Sequence, residues 1–182
     1  MALPFVSTFK SQLANSGGSA RPNLFKVSIK SVKTTQSLDS DQEFLVKATQ
    51  IPASTIAEAP LNYGGRVIKY AGFRTYANWT TTIINDEDFA IRNKIQNWMR
   101  RISGAMDGKR SVSFGRYADA NGQYNEGTGT ITQVNKDGRD GESYTVNNIW
   151  PTSIASMPLD WSTDGFMEYT VEWCFDTWTH DN

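Results

Sequence analysis

Cysteine and histidine are nearly absent: the 182 residues hold one of each, Cys174 and His180. A single cysteine closes no intrachain disulfide, which excludes a disulfide-stapled secreted scaffold. The same counts leave no Cys/His cluster for zinc. Cys174 has no histidine placed to activate it, and its strand-like surroundings suit a small half-buried residue. His180, at the very end of the chain, reads as a solvated terminal residue. No apolar run approaches the ~18 residues that signal a membrane span. Met1 to Val6 is too short for a signal peptide and lacks a basic flank. Neither charge sign dominates, with 18 Lys plus Arg against 19 Asp plus Glu, which argues against a dedicated nucleic-acid binder. These shortages predict a chain that folds in a reducing cytoplasm and is not an enzyme.

Aromatic residues, by contrast, make up 12% of the chain and include six Trp. With Thr, Ser, Gly and Pro scattered between them, they point to a β-rich protein with many turns. Period-two alternation supports this. From Met167 to Trp178, Met167, Tyr169, Val171, Trp173 and Phe175 fall on one side of a strand. Glu168, Thr170, Glu172, Cys174 and Asp176 fall on the other. Phe25, Val27 and Ile29 alternate with Lys26, Ser28 and Lys30 in a half-buried strand over residues 23–32. Phe44, Val46 and Ala48 suggest a second strand, with a polar loop over residues 37–42 between the two. Residues 78–85 form a further Thr/Ile-rich strand.

One helix signal is strong. Asn85 or Asp86 can cap, Glu87 and Asp88 suit a first turn, and Ile91, Ile95, Trp98 and Ile102 make one apolar stripe. Arg100 and Arg101 suit the last turn and Gly104 a stop, so a helix is predicted at about residues 86–103. Beyond it, Asn121-Gly122, Asp137-Gly138 and Asp140-Gly141 mark turns between short strands. Residues 1–20 read as an N-terminal arm in which Phe5, Phe9 and Leu13 could make a short helix. Residues 50–76 form a long extended loop after the second strand, with a strand or two inside it and too many apolar residues for disorder. The expected fold is mainly β (α+β). It is one domain over residues 1–182, a β-sandwich or partly closed barrel with a single flanking helix.

Candidate chemistry does not survive inspection. Asp119-Ala120-Asn121-Gly122 starts like a calcium loop, but the bidentate position falls on Thr128 instead of Glu. Gly64-Gly65 opens no helix and is not a phosphate loop. No catalytic, cofactor or metal residue is assigned.

Several segments in order resemble the tail tube proteins of contractile-tailed (myovirus) bacteriophages. They are Ala20-Arg21-Pro22-Asn23-Leu24-Phe25, Val46-Lys47-Ala48-Thr49-Gln50-Ile51-Pro52-Ala53 and Gly72-Phe73-Arg74-Thr75-Tyr76. Trp79-Thr80-Thr81-Thr82-Ile83-Ile84-Asn85-Asp86-Glu87, Ile149-Trp150-Pro151-Thr152 and Leu159-Asp160-Trp161 follow. That family is related in fold to the haemolysin-coregulated tube protein of type VI secretion. The resemblance implies a structural virion protein, assembled in the host bacterial cytoplasm, whose hexameric rings stack into the inner tube of a contractile tail. It implies partners as well: further copies of the chain, a sheath protein, baseplate and tail terminator proteins, a tape-measure protein inside the tube, and DNA in transit through the host envelope. Ile56, Leu61 and Tyr63 become candidates for packing between rings. Glu168, Thr170 and Glu172 become candidates for a lumen wall, because Lys or Arg facing DNA phosphates would bind them. Two other readings stay open. One is the tube of a phage-derived or type VI-like injection machine. The other is a carbohydrate-binding β-sandwich in which the tryptophans form a sugar platform.

Overall fold

The computed structural model describes residues 4–15, 18–31, 45–102, 127–162 and 164–181. Within them lie nine strands and two helices. The N-terminal helix α1 (Pro4–Asn15) comes first, then β1 (Phe25–Ser31), β2 (Val46–Thr49), β3 (Ser54–Tyr63), β4 (Arg66–Tyr76) and β5 (Trp79–Ile84). Helix α2 (Ala90–Ile102) follows, and β6 (Gly127–Val134), β7 (Asp140–Ile154), β8 (Glu168–Cys174) and β9 (Thr177–Asp181) complete the chain.

Seven strands make one antiparallel sheet in the order β1-β6-β7-β8-β5-β2, with β9 added beside β7. The fifteen-residue β7 is the hinge of this arrangement. Its first half pairs with β6 and β9, its second half with β8. Between the halves Asn148 takes a positive φ of 56°, and its side-chain amide donates to Asp176 Oδ2 at 2.9 Å. A strand that changes partner at a corner of this kind folds one sheet into two facing layers. β1 and β2 remain the two ends of the path, so the described strands form an open sandwich and not a closed barrel.

The core lies between the layers. Val27, Ile29, Ile131, Val146 and Ile149 come from one side, Trp79, Ile83, Val171 and Trp173 from the other. The stripe on α2 closes it: Ile91, Ile95 and Trp98 are buried, and the Trp98 ring sits 5.7 Å from that of Trp173. Room for these rings is made on β6. A Cβ on Gly129 would lie 2.9 Å from Trp79 Cζ3, and one on Gly127 only 2.6 Å from Trp98 Cη2. Trp79 donates through Nε1 to Thr49 Oγ1, and Trp173 to Thr81 Oγ1, so both indoles satisfy their polar edge inside the sandwich.

Several expectations are corrected. Helix α2 begins at Ala90, not residue 86. Phe89 adopts φ 54°, and Asp86 accepts the Ala90 amide at 3.1 Å, so Asp86, Glu87 and Asp88 precede the helix instead of filling its first turn. A second helix, α1, stands in the arm where a short helix was expected, and it shows that the flanking helix is not alone. The long loop is a two-stranded hairpin. The C-terminal strand is two strands, broken at Phe175-Asp176 where the chain moves from β8 to β9. Asp140-Gly141 lies inside β7 instead of at a turn. The expected loop at 37–42, the stop at Gly104 and the Asn121-Gly122 turn lie outside the described residues.

Candidate assembly surfaces

Three apolar surfaces stand uncovered on this body. The first is the β3–β4 hairpin, whose strands pair with each other and with no other described strand. Gly64 and Gly65 have φ values of 59° and 76°, the two positive angles a tight type I′ turn needs. Register then assigns the faces. Leu61 opposes Ile68, Ala59 opposes Tyr70 and Tyr63 opposes Arg66, so Leu61, Tyr63, Ile68 and Tyr70 share one face. Ile56 opposes Arg74 beyond a bulge at Gly72 and Phe73, and by alternation along β3 it falls on the other face. Ile56, Leu61 and Tyr63 are 51%, 52% and 76% exposed. They do not cover their own sandwich, and only Leu61 and Tyr63 stand side by side.

Helix α1 is the second surface. Phe5, Val6, Phe9 and Leu13 are all exposed. The third is the segment between β7 and β8, where Leu159 and Phe166 are 85% and 88% exposed and Trp161 is fully so. Arg92 on α2 anchors the start of this segment by donating to the Ala155 carbonyl at 3.2 Å. The same guanidinium lies 5.0 Å from the centroid of the Tyr169 ring. Burial pushes the Tyr169 phenol above its ordinary pKa, and the nearby Arg92 charge opposes the shift only in part. Its hydroxyl is buried without a hydrogen-bond partner among the described residues.

A fourth surface is polar. Register on β5 and β8 places Thr80 beside Glu172, Thr82 beside Thr170 and Ile84 beside Glu168. This face points away from the core, since Tyr169, Val171 and Trp173 on the same strand point into it. Helix α2 packs against those inward residues, leaving the polar face clear of it. Glu168 is paired with Lys47 at 2.5 Å, and Glu172 is exposed. The three residues expected to form one wall therefore do share a face, with one of the two carboxylates partnered.

Catalytic groups do not gather. Among the described residues no three or more of His, Cys, Asp and Glu converge as a metal site. His180 is not a loose terminal residue: it belongs to β9, bonds Glu142 Oε2 and stacks on Tyr144 with ring centroids 4.9 Å apart. Three of the six tryptophans, Trp79, Trp98 and Trp173, are buried in the core and so are withdrawn from any sugar platform. Sequence reasoning passed over Phe73, Val67, Ile68 and Tyr70 as hairpin surface and Phe166 as loop surface. Their signal was present as apolar residues crowded between turn glycines.

Apolar patches of this number and spread on a folded body mark a subunit meant to be covered by other protein. Its sequence matches the family described as phage tail tube protein over residues 20–181. The chain belongs to that family, whose members are structural components of the virion. It is 29% identical over 167 residues to the tail tube protein gp19 of Enterobacteria phage T4, covering 90% of this chain and 93% of that protein. It is 22% identical over 171 residues to the tail tube protein of Serratia phage KSP90, covering 92% of each. Among solved structures, a chain of the anti-feeding prophage baseplate superposes with TM-score 0.65 at 12% identity, over 89% of this chain and 95% of that one. A chain of the sheath–tube complex of the extracellular contractile injection system PVC, in its extended state, gives TM-score 0.55 at 16% identity, over 94% and 96%. At such identities the structures speak for the fold alone.

Proposed function

We propose that this tail tube protein assembles as hexameric rings that stack into the inner tube of a contractile phage tail, and that DNA leaves the capsid through the tube. The β3–β4 hairpin carries the reading. Its apolar residues are exposed in the subunit, and a two-stranded element is marginal in water unless another surface covers it. The next ring supplies that cover, with Leu61 and Tyr63 packing on one side of the hairpin and Ile56 on the other. The polar face of β5 and β8 supports the second half of the reading. Hydroxyls of Thr80, Thr82 and Thr170 with the exposed Glu172 offer DNA no cation to hold it, and Lys47 is engaged by Glu168.

In this reading the sheath, baseplate and terminator proteins meet the outer surface and ends of the tube, and the tape-measure protein fills it before DNA does. The sequence relatives are phage proteins, which favours a tail over a free injection machine as the setting. Negative-stain microscopy of concentrated purified protein tests the assembly: six-fold rings or hollow tubes are expected, and particles that stay single at every concentration overturn it.

A further inference from the structure

A small apolar pocket of about 170 Å3 opens where the chain enters β1 and leaves β2. Pro22, Leu24, Phe25, Ile51, Ile131 and Tyr144 line it. Arg21 stands on its rim and makes no ion pair among the described residues. The pocket lies near the start of β5, since Thr49 pairs with Thr81 and Trp79 donates to the Gln50 carbonyl. The Leu159–Phe166 segment lies at the other end of the same strand, where Ile84 opposes Glu168 and the Asn85 amide donates to the Met167 carbonyl. A knob and a hole therefore lie by opposite ends of β5, and successive copies placed head to tail would bring them together.

We infer that the Trp161 loop of one copy docks into the Pro22–Tyr144 pocket of a neighbouring copy and is a second assembly contact, separate from the hairpin. Four observations favour this occupant. Trp161 is fully exposed, whereas Trp79 and Trp173 are buried with their indole N–H groups hydrogen-bonded. The pocket offers a mostly apolar lining to an aromatic ring. Asp164, three residues beyond the tryptophan, would face the cationic rim at Arg21, so the charges match. Arg92 also braces the start of the loop at the Ala155 carbonyl, and the Asp160 carboxylate accepts from the Ser162 amide at 3.0 Å beside the tryptophan. A heterologous contact closes a ring or extends a stack according to its rotation, and either suits a tube. The identity of the occupant rests on the tail tube reading.

Cross-linking separates the two ideas. In a Cys174→Ser background, Gln133→Cys places a thiol on the pocket rim and Asp164→Cys one on the loop, leaving Trp161 intact. A short bis-maleimide applied to concentrated protein should give a ladder of covalent oligomers, lost at least tenfold when Trp161→Ser is added. Trp161 is fully exposed, so this last change leaves the subunit folded, which a thermal melt verifies. Tubes in the micrograph without a ladder overturn the docking and spare the tube. A ladder without tubes supports the docking and overturns the tube. A ladder that survives Trp161→Ser overturns the docking as well.

Discussion

Replacing Leu61 and Ile68 by serine should raise the protein concentration needed for polymerisation about thirty-fold while leaving the subunit folded. The two side chains oppose each other on β3 and β4 and are 52% and 41% exposed, so roughly half of each remains to be buried by a partner. Full burial of such a side chain is worth about 1.5–3 kcal/mol, and the remaining half therefore about 1 kcal/mol each. Losing both weakens each subunit contact by about 2 kcal/mol, a factor of about 30. If six subunits add as a preformed ring, the factors compound and assembly fails at any practical concentration. Inside the subunit the loss is one cross-strand pair, about 0.2–1 kcal/mol, or at most a few degrees of Tm. Pelleting across a concentration series reads the first quantity and a thermal melt the second. An unchanged critical concentration with an unchanged melt would refute the claim that this hairpin face is covered on assembly.

Gly129→Ala should lower Tm by several degrees, because its Cβ would meet Trp79 at 2.9 Å and Ile149 at 3.2 Å in a packed core, and overpacking costs about 1–3 kcal/mol. Tyr169 makes stability fall in alkali: its folded pKa is raised, so its contribution is whole below the ordinary tyrosine value of about 10 and is lost as pH climbs above it. Melts of wild type and Tyr169→Phe across about pH 7 to 11 should keep a constant offset up to about pH 10 and diverge above it, the phenylalanine variant holding its Tm longer. Parallel curves would contradict that assignment. Glu172→Lys should leave tube assembly intact and slow DNA release from assembled particles, since the new cation faces phosphate with no carboxylate partner beside it; an unchanged release rate would count against the lumen assignment.

Much of the sandwich was legible because its strands are half-buried. Trp79, Thr81 and Ile83 alternate with Thr80, Thr82 and Ile84, and the structure buries the first set and leaves the second partly open. The α2 stripe was legible for the same reason, at helical spacing. The hairpin was not, because neither of its faces is buried in the subunit, so alternation had nothing to select and Pro60 and Gly72 looked like breaks. Its turn was signalled by Gly64-Gly65 all the same. The start of α2 was misplaced because Asp86 caps from a turn outside the helix, held by a left-handed Phe89 that no local propensity favours. The break between β8 and β9 sits against the corner at Asn148, a tertiary event written on the neighbouring strand β7. Of the candidate surfaces, the shared face of Glu168, Thr170 and Glu172 followed from period two alone. Grouping Ile56 with Leu61 and Tyr63 did not, since residues an odd number apart on a strand look opposite ways.

A cryo-EM reconstruction of the assembled tube tests the account most directly. The account predicts the β3–β4 hairpin enclosed between successive rings, with Leu61 and Tyr63 out of water and Glu172 facing the lumen. A tube in which the hairpin lies free on the outer surface, or in which β8 turns its polar face outward, would contradict it.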